Sequence, residues 1–216
     1  MTAASRTLRV GITGAIGTGK SEVCRILRER GYPVIDADQV ARHLTETSEK
    51  IRRALRQRFG PSVFDEQGEL KRRELARVVF SDAEALRDLN AIVHPAMIAA
   101  IREEMERLAK ENGLAVFVEA AVIYEARMEG LFDVVVTVAA DLPTAVRRVA
   151  RRNGLSEEDV WERYRSQIPL EEKIRRADYV IWNNGTLQDL EREVERFLRW
   201  LEERRSAGKS HGKADG

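Results

Sequence analysis

The run Gly14-Ala15-Ile16-Gly17-Thr18-Gly19-Lys20-Ser21 constrains this chain more than any other feature, because it fits G-x-x-x-x-G-K-[ST] without a mismatch. Before it, Leu8 to Thr13 reads as a short strand. After it, Val23, Ile26 and Leu27 recur at helical spacing over residues 20–30, with Cys24 on the flank of the stripe. Gly31 and Pro33 stop that helix and Val34-Ile35 starts a second strand. Strand, glycine loop, helix and strand make a βαβ unit, so a parallel sheet with right-handed crossovers is expected.

The residue types in the loop suit one chemistry. Glycines let the backbone curl so that successive N–H groups point inward at phosphate oxygens, and the helix starting near Lys20 adds its positive end. Lys20 can reach the β- and γ-phosphates, and the Ser21 hydroxyl can ligate an accompanying Mg²⁺. A glycine-rich turn carrying a chance lysine is the alternative. The position between a strand and a helix favours the phosphate loop.

Beyond the second strand, residues 39–112 read as helix after helix. Arg52 to Phe59 ends at Gly60-Pro61, and Leu70 to Phe80 precedes Ser81-Asp82-Ala83-Glu84, a capping-box spacing. Pro95 suits a first helical turn, ahead of the apolar face Ile98, Ile101, Met105 and Leu108. Strand character returns at Ala115 to Val118 and Val134 to Val138, continuous apolar runs that suit the centre of a parallel sheet. Helices follow over about 143–152 and after Ser156, then a strand from Asp178 to Trp182 and a final helix capped at Thr186. The expected fold is therefore three-layer α/β, a phosphate-loop NTPase with about five parallel strands. Its core would be residues 1–38 and 113–205, with a lid at about 143–177, a helical substrate-binding insertion at 39–112 and a disordered tail at 206–216.

Charge balance narrows the partners. Basic residues number 37 and acidic ones 36, a net charge of +1, whereas a dedicated nucleic-acid binder needs a basic excess. No stretch approaches the ~20 apolar residues of a membrane span, and the N-terminus runs straight into a strand pattern. One cysteine, Cys24, cannot form an internal disulfide. A soluble cytoplasmic protein is expected, a monomer or weak homo-oligomer, with neither nucleic-acid nor membrane partners. Thirty of the basic residues are arginine and only seven lysine, so each lysine carries more information than usual.

A phosphate loop alone does not separate kinase, motor ATPase and GTPase. The guanine reader N/T-K-x-D is missing, for the late strand is followed by Asn183-Asn184-Gly185. The strand at Ala115 ends in Glu119, where a motor ATPase would carry aspartate. Short length and a helical insertion after the second strand favour a small-molecule kinase whose acceptor binds over the strand ends. In Asp36-Ala37-Asp38 one carboxylate can take an acceptor's proton or support the metal's water shell, though Asp38 can equally cap a helix from Gln39. Arg147, Arg148, Arg151 and Arg152 either close over a triphosphate or form a solvated basic face. His94 either serves the acceptor or merely precedes the helix at Pro95.

Five segments together resemble the dephospho-CoA kinase family: GITGAIGTGKS, VIDADQVAR, N-A-I-V-H-P, RRNGLSEEDV and SQIPLEEKIRRADYVIWNNGT, in family order over most of residues 8–200. The resemblance implies transfer of the ATP γ-phosphoryl group to the ribose 3′-hydroxyl of dephospho-CoA, with Mg²⁺. It makes Asp38 the general base and Asp36 its structural or metal-side neighbour, among the substrate-binding residues. Lys20 and Arg148 complete the catalytic set, and Gly14 through Ser21, Arg148, Arg152 and Asn183 contact ATP. Arg42, His94 and Glu125 would lie near the acceptor, and Gln167 in the lid. Four positions depart from the family pattern: Ala15 stands where a second glycine is common, Asn153 where aspartate follows the lid arginine, and Glu119 and Ala121 where the aspartate and proline of D-x-P-L-L-F-E usually stand.

Overall fold

A computed structural model describes residues 6–111, 113, 115–154, 156–165 and 167–207. The expected parallel sheet is present. Among the described residues it has five strands, β1 (Leu8–Thr13), β2 (Val34–Asp36), β3 (Ala115–Glu119), β4 (Val134–Ala139) and β5 (Tyr179–Trp182), in the order β2-β3-β1-β4-β5. β1 pairs in parallel with β3 and β4, setting Ile12 opposite Glu119 and Thr13 opposite Thr137, and β4 pairs in parallel with β5. Every residue of β3 and β4 is buried, which is why both read as unbroken apolar runs. One face is covered by α1 (Lys20–Glu29) and α9 (Leu187–Ala207): Val10, Ile12 and Phe117 pack with Val23, Ile26, Leu27, Leu190, Val194 and Phe197. On the opposite side of β1, a Cβ on Gly11 would meet Ile123 and Phe132 at 2.7 and 2.8 Å, so that strand tolerates no side chain there.

The helices between and after these strands are α2 (Ala37–Thr47), α3 (Glu49–Phe59), α4 (Arg72–Ser81), α5 (Ala83–Glu111), α6 (Leu142–Asn153), α7 (Glu157–Arg165) and α8 (Leu170–Arg176). The chain divides into two compact units, residues 36–104 and the remainder. The helical unit has its own core, in which Ile51, Leu55, Val63, Phe64, Leu75, Val79 and Val93 meet. The C-terminal turns of α5 count with the sheet unit.

Three local expectations are corrected. Pro95 does not begin a helix but lies inside α5. A proline there removes one backbone hydrogen bond and costs roughly 3 kcal/mol, yet Ala85, Leu86, Leu89, Ile92, Val93 and Ala96 on both sides of it pack into the helical core and hold the helix through. The cap at the start of α5 is Asp82, which accepts the Glu84 N–H at 2.8 Å, rather than Ser81. Helix α2 starts at Ala37 rather than Gln39, with Asp36 as its N-cap accepting the Gln39 N–H at 3.0 Å. Cap duty thus falls to Asp36, and Asp38 occupies the exposed first turn of the helix. At the other end of the chain α9 continues through Ala207, and the rest of the expected tail, residues 208–216, lies outside the described residues.

Candidate active site at the carboxyl ends of the strands

In parallel α/β sheets ligands bind beyond the carboxyl ends of the strands, and the glycine loop leaves β1 there. Its shape is forced by its neighbours. Gly17 has φ +79°, and a Cβ on it would sit 2.4 Å from the Ala145 carbonyl oxygen of α6. Gly19, the N-cap of α1, has φ +96°, and its Cβ would sit 2.1 Å from Asn183 Nδ2. A Cβ on Gly14 would sit 2.3 Å from the Val138 carbonyl oxygen. The loop is therefore wedged among β4, α6 and the residue after β5, and α1 presents its N-terminal amides at that point.

Between the glycines the side chains point into protein. Ala15 packs with Ala139 and Leu170, and Ile16 packs on Val146, Val149 and Val160 of α6 and α7. Thr18 is buried and its hydroxyl donates to the Ala15 carbonyl at 3.0 Å. Lys20 folds across the loop and donates from Nζ to the carbonyls of Gly14 and Ala15 at 3.0 and 2.9 Å. Ser21 Oγ donates to Glu119 Oε1 at 2.6 Å, which joins the start of α1 to the end of β3. The same carboxylate faces Cys24: burial first, then the Glu119 charge and a hydrogen bond to it, push the thiol far above its ordinary range. Cys24, on the flank of the apolar stripe of α1, is fully buried.

Ser21 and Glu119 are hard oxygen donors meeting at the head of the loop, a set that suits Mg²⁺. That ion keeps several waters and takes one or two protein oxygens beside the phosphates. No cluster of three or more His, Cys, Asp or Glu able to cage a metal exists among the described residues. Glu119 is the group whose part the sequence alone left open.

Asn183 is tied to the loop from the other side. It is only 8% exposed, and its Nδ2 donates to the Thr18 carbonyl at 2.9 Å. Its own carbonyl accepts Arg148 NH1 at 3.2 Å. Arg148 is exposed on α6 and lines an open cleft of about 670 Å³ with Thr144, Arg147, Ala150, Arg151 and Glu157. Three guanidinium groups in one cleft suit a polyanion. The Arg152 side chain lies outside what the structure describes.

Glu125 stands in a turn after β3 with its carboxylate turned into the sheet unit. Oε1 accepts the Ile168 N–H at 3.0 Å and pairs with Lys173 Nζ at 2.8 Å. Lys173 is 0% exposed, also donates to the Ala121 carbonyl at 2.6 Å, and has its pKa lowered by burial, against the opposing pull of Glu125. Lys173 falls inside the quoted segment SQIPLEEKIRRADYVIWNNGT, but the sequence reading gives it no role. The scarcity of lysine was the signal that could have found it. Gln167 Oε1 accepts the Ile16 N–H at 3.2 Å, placing the segment before α8 on the tip of the loop.

The remaining candidates belong to the helical unit. Asp36 caps α2, Asp38 and Arg42 are exposed on it, and His94 is half-buried on α5. Arg42 also accepts, through its carbonyl, a hydrogen bond from Arg72, whose guanidinium pairs with Glu46. No helix among the described residues is long and apolar enough to cross a membrane.

Comparison with known proteins agrees with this geometry. The sequence model of the dephospho-CoA kinase family matches residues 8–189. A dephospho-CoA kinase from Thermus thermophilus is 44% identical over 195 residues, 90% of this chain and 92% of that one. The Bacillus cereus dephospho-CoA kinase is 39% identical over 193 residues, 89% of this chain and 96% of its own. Among solved structures, a dephospho-CoA kinase from Campylobacter jejuni superposes with a TM-score of 0.61 at 28% identity, covering 90% of this chain and 97% of that one.

Proposed function

The chain belongs to the dephospho-CoA kinase family, and we propose on that premise that it phosphorylates the ribose 3′-hydroxyl of dephospho-CoA with ATP, giving CoA and ADP. One observation carries the reading: loop backbone, α1 N-terminus, Lys20 and the Ser21–Glu119 pair converge where a triphosphate and its cation would sit. Lys20 exchanges the Gly14 and Ala15 carbonyls for β- and γ-phosphate oxygens. Ser21 and Glu119 hold Mg²⁺, which when bound neutralises charge on the phosphates. Arg148 steadies the transferred group, and Asn183 contributes to the adenine side while bracing the loop.

Asp38 accepts the proton of the 3′-hydroxyl as that oxygen forms its bond to the γ-phosphorus and the bond to the β,γ-bridging oxygen breaks, with ADP leaving. Its exposed place in the first turn of α2 supports this. Arg42 and His94, in the same helical unit, contact the acceptor. Since the Glu125 carboxylate is engaged by Lys173 and Ile168, its part on the acceptor side is to fix the turn that carries it. The reaction belongs to a cytoplasmic enzyme, monomeric or weakly oligomeric, with no nucleic-acid partner.

The test is purified protein with ATP, Mg²⁺ and either dephospho-CoA or a panel of other alcohols and nucleoside monophosphates, read by mass. A product one phosphate heavier with dephospho-CoA alone supports the proposal. Turnover of a different acceptor, with dephospho-CoA untouched, refutes it.

A further inference from the structure

The tip of the phosphate loop, Ala15-Ile16, is held by residues that the reaction does not use. Ile16 donates its N–H to Gln167 Oε1 at 3.2 Å and seats its side chain on Val146, Val149 and Val160. Ala15 packs against Leu170. Gln167 is itself fixed on both sides. Its N–H donates to the Tyr164 carbonyl at 3.0 Å, and the next N–H, that of Ile168, donates to Glu125 Oε1. Glu125 is pinned in turn by Lys173, whose ammonium also holds the Ala121 carbonyl. Ala121 O accepts the Thr13 hydroxyl as well, at 3.2 Å, one residue before the loop begins.

We propose that Gln167 is a positioning residue for nucleotide binding: it locks the tip of the phosphate loop, and the buried Glu125–Lys173 pair keeps it in place to do so. The inference rests on the reading of this loop as the grip on ATP. The wedge contacts of Gly14, Gly17 and Gly19 set the two flanks of the loop. At the tip, the Gln167 amide supplies the side-chain acceptor for the Ile16 N–H. Without that acceptor the tip amide turns freely, and ordering it again on binding costs conformational entropy. Gln167 touches neither transferred phosphoryl group nor acceptor in this scheme, so its effect belongs to nucleotide affinity.

The variant is Gln167→Met, which keeps the length of the side chain and removes the acceptor. Its MgADP dissociation constant, measured by titration calorimetry, is expected to rise about three- to tenfold, the worth of one neutral hydrogen bond. The KM for ATP should rise in parallel and the KM for dephospho-CoA should stay put, while the melting temperature without nucleotide falls only by the worth of one lost hydrogen bond. A merely structural contact would lower the nucleotide-free melting temperature to the same extent but leave MgADP affinity within twofold of wild type, and that result overturns the proposal. A rise confined to the acceptor KM overturns it too. Wild-type protein run alongside separates the two readings: if it binds no MgADP, the functional proposal falls first and takes this one with it. If it binds MgADP and Gln167→Met binds equally well, only this one falls.

Discussion

One methyl group tests how the phosphate loop is held. In Gly19→Ala the new Cβ lies 2.1 Å from Asn183 Nδ2 and 3.3 Å from its Cγ, and the backbone keeps φ near +96°. The left-handed conformation costs a non-glycine residue about 1–2 kcal/mol. Asn183 must also swing away, breaking its bond to the Thr18 carbonyl and leaving a buried acceptor unpaired, for about 1–3 kcal/mol more. Gly19→Ala should therefore lose about 2–5 kcal/mol in denaturant unfolding followed by circular dichroism. Asn183→Ala alone loses the same bond and costs about 1–3 kcal/mol. In the double variant only the Asn183 Cβ remains near the new methyl, at 4.0 Å, an ordinary contact. The bond cannot be lost twice, so the double variant should be no less stable than Gly19→Ala. The expected coupling is about 1–3 kcal/mol, well above the few tenths seen for independent sites. Additive losses would refute the claim that Asn183 and Gly19 share one space.

Other perturbations separate chemistry from scaffolding. Asp38→Asn should lower kcat by about 10²–10⁴ in a coupled ADP-release assay with ATP binding intact, the usual scale for a general base. Asp36→Ala should instead cost about 1 kcal/mol of stability through its cap, with proton transfer preserved. Lys173→Met strands the half-buried Glu125 carboxylate and should cost up to about 3–5 kcal/mol by urea unfolding, much of it recovered in the double variant with Glu125→Gln. Asp189 is held below its ordinary 3.8 by the Thr186 hydroxyl and backbone N–H. The stability it lends is complete above that value and fades as pH falls through the lowered one, so Asp189→Asn should differ from wild type at pH 7 and converge with it in strong acid. Cys24 should resist alkylation at pH 8 in the folded protein and react at once in denaturant, because burial and Glu119 keep it protonated.

The loop, its flanking strand and helix, and the buried parallel strands were legible because each rests on local pattern: glycine spacing, a 3.6-residue apolar period or an unbroken apolar run. Failures came where distant packing decided. Pro95 reads locally as a helix start, but apolar residues on either side of it in α5 join one core and carry the helix past it. Helix α8, Leu170–Arg176, gave no periodic signal because five of its seven residues are charged, and its buried lysine is held by a carboxylate 48 positions earlier in the chain. The Ser21–Glu119 contact was half legible. Each residue stood out alone, but only the parallel register of β1 and β3 brings the strand end to the loop. Asn183 was picked out for adenine by resemblance, and its brace to Thr18, 165 residues away in sequence, leaves no trace in spacing.

The wedging of the loop by Val138, Ala145 and Asn183 has a consequence for biosynthesis. Translation delivers the G-x-x-x-x-G-K-S stretch early and its three abutments late. A growing polypeptide that has displayed the complete signature still cannot grasp a triphosphate, since the mould that bends those glycines has yet to leave the ribosome. Transplanting the octapeptide with only its strand and helix into another scaffold would for the same reason carry the letters across without the grip.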